Sequence, residues 1–152
     1  MLVTTVISSF LMLSGLANAL PRSTALEMSH EGLEVRANKD VNPAAVTGTK
    51  CLDKNAKIDT HDANVALLSI CGGIQGSIQK CGGAPQSTTG QSGTAKFTLN
   101  PTVKGATINV SKGRWEGCIR AAKAVCPTGS FQSTCKGGAS EGDIAFTLNS
   151  AK

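Results

Sequence analysis

Gly113-Arg114-Trp115-Glu116-Gly117-Cys118-Ile119-Arg120-Ala121-Ala122-Lys123-Ala124-Val125-Cys126 is the most strongly patterned stretch of the chain. At helical spacing it sets Trp115, Cys118, Ile119, Ala122, Val125 and Cys126 along one face. Arg114, Arg120 and Lys123 point elsewhere, and Glu116 stands four residues before Arg120, a favourable pair on a helix. Pro127 cannot continue the helix, and Gly129 follows it. A helix with one apolar stripe has to lie on an apolar surface, so the rest of the chain has to supply a sheet.

Alternation marks that sheet. Ala95, Phe97 and Leu99 alternate with Lys96 and Thr98. Ala106, Ile108 and Val110 alternate with Thr107 and Asn109. Ile144, Phe146 and Leu148 alternate with Ala145 and Thr147. Each run reads as a half-buried strand, with Asn100 to Gly105 joining the first two as a hairpin. A further strand is expected between Val46 and Ile58. Gly82 to Gly93 is Gly-, Ser-, Thr- and Gln-rich and reads as a mobile loop. An earlier helix starts near Asp59 or Thr60, either of which can cap it. Ala63, Ala66, Leu67, Ile70 and Cys71 share its inner face, and Gly72-Gly73 ends it. The order strand, helix, strand, strand, helix, strand predicts an α+β fold. An antiparallel sheet of about four strands carries both helices on one face, in a split β-α-β or ferredoxin-like sandwich.

The chain has six cysteines: Cys51, Cys71, Cys81, Cys118, Cys126 and Cys135. Their meaning depends on the compartment, and the first residues speak to that. Leu2 to Leu16 is an apolar run closing on Ala17-Asn18-Ala19, the pattern a signal peptidase cuts after. Thr4, Thr5, Ser8, Ser9, Ser14 and Gly15 interrupt the run, which is too short and polar to span a membrane. Residues 1–19 are therefore expected to be a signal peptide cut after Ala19, with the protein secreted. Residues 20–36 are expected to be a pro-segment, because Leu33-Glu34-Val35-Arg36 looks like the kexin-type sites of fungal secretory pro-proteins. Cleavage after Arg36 leaves one domain, residues 37–152, with thirteen Lys and Arg against seven Asp and Glu.

In an exported chain of this size an even cysteine count reads as a disulfide framework. The wide spacings, without a C-x-x-C, disfavour zinc. Three bridges are expected. Six cysteines allow fifteen pairings, and the favoured one joins Cys71 to Cys81 and Cys126 to Cys135, closing short loops beside helix ends, and Cys51 to Cys118, tying the N-terminal segment to the second helix. Aromatic residues are scarce: the domain has no Tyr, one Trp, and Phe97, Phe131 and Phe146. Trp115 lies on the apolar stripe and is expected in the core.

Few residues suggest chemistry. His61, between Asp59 and Asp62, could serve as a base oriented by a carboxylate, but the sequence offers no partner nucleophile. It reads as an exposed residue of a capping sequence. Glu116, Glu141 and Asp143 do not make a glycosidase pair: Glu116 faces Arg120, and the other two lie in a Gly-rich turn without aromatic platforms for a sugar. Lys112, Arg114, Arg120 and Lys123 cluster around the second helix, yet stacking aromatics are nearly absent, which argues against nucleic acid. The net positive charge instead suggests a solvated face with weak attraction to anionic surfaces. Asn109-Val110-Ser111 is a glycosylation sequon, and alternation turns Asn109 outward, whereas Pro101 disqualifies Asn100. No metal or cofactor is expected.

Three stretches carry a resemblance: Ile58 to Cys71, with its Ile-Asp-Thr-His-Asp entry to an Ala-rich helix ending in Cys, Trp115 to Cys126, and Gly142-Asp143-Ile144-Ala145-Phe146. Together with the order of elements they resemble the small secreted effectors of plant-associated fungi. Within these the chain is similar to the group sharing the α/β-sandwich fold of smut-fungus killer toxins, over most of residues 50 to 149. The resemblance implies a non-enzymatic secreted protein that binds a host or competitor protein or cell-surface component. The alternatives are a small ribonuclease-like hydrolase and a cell-wall-associated structural protein.

Overall fold

A computed structural model of the protein describes residues 41–75 and 78–152. The expected signal peptide, with Ala19, and the pro-segment, with Arg36, lie outside the described residues. Five strands form one antiparallel sheet: β1 (Val46–Asp53), β2 (Thr88–Ser92), β3 (Ala95–Pro101), β4 (Ser130–Cys135) and β5 (Ile144–Ser150). Among the described residues two α-helices, α1 (Thr60–Leu68) and α2 (Lys112–Val125), accompany them. The sheet order is β1-β4-β5-β3-β2. Since every neighbouring pair is antiparallel, β3 and β4 run the same way with β5 between them. An α+β fold with one antiparallel sheet is the result, but with five strands where about four are expected.

The differences have local causes. β2, Thr-Thr-Gly-Gln-Ser, lies inside the stretch read as a mobile loop. It is an edge strand, and its only buried residue is Gly90, so it offers no apolar alternation to read. β4 was also not foreseen, because two small polar residues, Ser130 and Ser133, occupy buried positions there beside Phe131 and Cys135. The expected strand over 106–110 is not one. Ala106, Ile108 and Val110 are buried as their alternation predicts, but the segment threads between two loops. Ile108 N–H donates to the Pro85 carbonyl at 2.7 Å, and Asn109 N–H donates to that of Gly138 at 2.8 Å. The expected 95–99/106–110 hairpin is therefore replaced: β3 pairs with β2 through a tight Gly93-Thr94 turn, and with β5 on its other side.

Two of the three expected bridges also change partners. The disulfides are Cys71–Cys81, Cys51–Cys126 and Cys118–Cys135. The pairings Cys126–Cys135 and Cys51–Cys118 fail because β4 is a strand. The chain leaves α2, turns, and runs back under it, so Cys135 at the far end of β4 comes beneath Cys118. The start of β4 pairs with the end of β1, Asp53 opposite Ser130, which brings Cys51 to Cys126. The chain-entropy model assigns the Cys51–Cys126 bridge, 75 residues apart, about 4.5 kcal/mol, and the two shorter loops about 3 kcal/mol each.

α1 is held at both ends. Asp59 caps it, accepting from His61 and Asp62 N–H at 2.8 and 3.2 Å. The Thr94 backbone and hydroxyl both donate to Asp62 at 2.8 Å, pinning the first turn to the β2–β3 hairpin. At the other end Cys71 turns into the left-handed region at φ 55. Its N–H goes to the Thr88 hydroxyl at 2.7 Å, which leaves the Leu67 carbonyl without its helical donor. The indole N–H of Trp115 takes that carbonyl at 2.9 Å. Trp115 is fully buried, with its ring edge-to-face against Phe97 and Phe146 at 5.4 and 5.1 Å between centroids. One residue of α2 thus joins α1, β3 and β5. α2 itself is capped by Ser111, and two expectations about it change. Val125 is 57% exposed, because the helix ends there and the chain swings toward β1. Glu116 pairs with Lys112 at 3.6 Å and not with Arg120.

Candidate functional site

At one end of the molecule the β1–α1 turn, the end of α2 and the start of β4 converge. Their junction is tight. Asp53 N–H donates to the Ser130 hydroxyl at 3.1 Å, and Asn55 N–H donates to the Asp53 carboxylate at 2.8 Å, which folds the turn onto itself. Gly129 has a φ of +76, and a Cβ there would sit 2.7 Å from the Lys54 backbone. Only glycine permits both the conformation and the approach. The Cys51–Cys126 disulfide then fixes the end of α2 to β1.

This junction encloses a groove of about 410 Å³. Lys54 and Lys57 line it from the turn, and Lys123 lines it from the last turn of α2. Asn55, Thr60 and Thr128 add an amide and two hydroxyls, and no carboxylate is among the lining residues. The nearby acids are committed elsewhere: Asp53 to the turn, Asp59 to the helix cap and Asp62 to Thr94. Phe131 and Leu148, both almost wholly buried, form the floor. Lys123 is half-buried, and loss of hydration holds its pKa below the usual lysine value. The site therefore gathers two exposed lysines and one half-buried lysine, and the half-buried Lys123 interacts more strongly with an anion than it would in open water.

Lys123 also borders a second groove of about 380 Å³ between the helices, where Arg120 and Glu116 flank Leu67, Leu68 and Ile119. On the opposite side of the sheet a shallower hollow of about 220 Å³ is lined by Thr98, Gln132 and Thr147. Neither gathers charge of one sign.

Of the charged residues weighed for chemistry in the sequence, Lys123 alone lines the basic groove. Arg114 leaves the expected basic cluster, its guanidinium donating to the Lys136 carbonyl at 2.7 Å. His61 is exposed. Asp143 shapes the turn before β5, accepting from Gly137 N–H at 2.8 Å, and Glu141 is exposed beside it. Asn109 is half-buried. Lys54 and Lys57 were missed. Their signal is faint: two lysines three residues apart, Lys54-Asn55-Ala56-Lys57, between a strand and a helix cap. Among the described residues, no group of three or more His, Cys, Asp and Glu side chains is placed to hold a metal ion. No described helix is long and apolar enough to cross a membrane.

No family model matches the chain, and no curated protein or solved structure proves similar to it.

Proposed function

We propose that this chain is a secreted binding protein of effector or toxin type, which acts without covalent chemistry on an anionic component of a host or competitor cell. The groove of Lys54, Lys57 and Lys123, without a lining carboxylate, carries this reading. Three disulfides in so small a domain favour an oxidising, extracellular setting, as does the signal-like start of the sequence. The hydrolase alternative would rest on His61, whose two flanking acids are occupied by the helix cap and by Thr94. Binding is the simpler use of such a surface: the Cys51–Cys126 bridge and the Asp53–Ser130 pairing hold together the backbone segments that carry the three lysines.

The test is a pull-down of the oxidised protein on intact target cells and on their isolated walls, across a salt series. The Lys54→Ala/Lys57→Ala/Lys123→Ala variant should lose retention, and wild-type retention should fall as salt rises. Equal retention of both proteins would sink the proposal.

A further inference from the structure

We propose that the basic groove is a site for a phosphate monoester carried on a hydroxylated ring or polyol, an inference that rests on the anion-binding reading above. Its volume, about 410 Å³, falls in the range of small-molecule sites and exceeds what a bare inorganic anion fills. The cations are all lysines. Lysine is a compact point charge with three donors that can meet a phosphate oxygen from any side. Arg120 lies across Lys123, in the other groove.

Three ammonium groups also exceed what one carboxylate can neutralise. A phosphate monoester carries nearly two negative charges at neutral pH and has three strong acceptor oxygens. Lys123 gains most from it, being the half-buried one of the three. The remaining polar groups fit the rest of such a ligand. Thr60 and Thr128 can donate to or accept from hydroxyls, and the Asn55 amide can do both at once. Ile58, Ala63 and the Phe131–Leu148 floor offer a small apolar surface to the ring carbons.

The experiment uses the oxidised, secreted protein and inositol trisphosphate as probe, read by calorimetry and by amide NMR shifts. Inositol and citrate serve as neutral and tricarboxylate controls, and zwitterionic vesicles with and without a phosphoinositide separate a membrane headgroup from a free polyol phosphate. The trisphosphate should bind and shift Thr60, Lys123 and Thr128. Lys123→Gln should weaken it about tenfold or more, the loss of one charge-assisted contact. Lys96→Gln, on the exposed side of β3, should leave it unchanged, and both variants should keep the wild-type near-UV spectrum. Binding to the soluble probe alone supports a free ligand, and binding to the vesicles as well supports a headgroup. Citrate bound at the same residues as tightly as the trisphosphate would overturn the phosphate assignment and leave the anion groove standing. Inositol bound equally well, or no anion bound at these residues, would overturn both.

Discussion

Trp115→Phe removes one hydrogen bond and a small volume from the centre of the molecule, and its consequence can be worked through. The indole N–H is the donor for the Leu67 carbonyl, 2.9 Å away in a buried setting. That carbonyl belongs to the last turn of α1, where helical partners run out. Its ordinary donor, the Cys71 N–H, is held by Thr88. A phenyl ring keeps the edge-to-face contacts with Phe97 and Phe146 in rough form but cannot donate. Leaving a buried acceptor unpaired costs about 1–3 kcal/mol. The space left by the smaller ring adds about 1 kcal/mol. The sum is about 2–4 kcal/mol, or about 8–16 °C in melting temperature for a domain of this size. Thermal unfolding of the oxidised protein followed by near-UV circular dichroism measures it. A second variant separates the terms: Trp115→Leu also abolishes the donor but removes the aromatic contacts, worth about 0.5–1.5 kcal/mol for each pair. If Trp115→Phe melts within about 2 °C of wild type, roughly 0.5 kcal/mol by the same conversion, the indole–carbonyl link does not hold α1 to α2 and the reasoning is wrong.

Gly90→Ala should destabilise by about 1–3 kcal/mol or more, since the added methyl meets the Ala66 carbonyl oxygen of α1 and only a shift of the helix relieves it. Gly117→Ala, in the middle of α2 with open space at the Cβ, should stabilise by about 0.5–1 kcal/mol, and denaturant melts of the two compare them directly. The backbone and hydroxyl of Thr94 hold the Asp62 carboxyl below the ordinary aspartate value of 3.8, with smaller help from His61 and Lys152. The folded form therefore binds fewer protons, and the contribution is present above that value and lost as pH falls through the lower folded one. Asp62→Asn should flatten that acid limb in a stability–pH series. Burial lowers the Lys123 pKa from 10.5, so the unfolded chain binds more protons in the window just below 10.5 and stability rises with pH there. Lys123→Met should stabilise the protein at neutral pH and remove that rise; an unchanged alkaline slope would refute the burial penalty.

The helices were legible because each buries a stripe. Ala63, Ala66, Leu67 and Ile70, and Trp115, Cys118, Ile119 and Ala122, are all buried as their spacing requires. β3 and β5 were legible for the same reason at period two. β2 and β4 were not, since a strand announces itself by apolar alternation. β2 faces α1 with a glycine, and β4 buries Ser133, whose hydroxyl meets Thr49 at 2.7 Å. The 106–110 run shows the converse. Alternation reports burial on one side, and two loops can supply the hydrogen bonds that a neighbouring strand otherwise would. The disulfide pairing then failed as a consequence, because the position of β4 decides which cysteines meet.

The basic groove could not be read from sequence for a different reason. Lys123 stands in a helix pattern as an ordinary outward charge, and Lys54 and Lys57 as ordinary turn residues. What makes them a group is the Cys51–Cys126 bridge and the pairing of Asp53 with Ser130, which join segments remote in sequence. The same closure half-buries Lys123 and costs it hydration. A lysine whose removal should stabilise the fold, lining a groove that lacks a carboxylate, has no evident role in packing. Local costs of this kind tend to persist where a site is used. The two perturbations of Lys123 therefore bear on one another: the substitution that relieves the burial penalty is also one that should weaken anion binding. A stabilised variant that bound the anion as well as wild type would separate the two effects and leave the buried charge without an explanation.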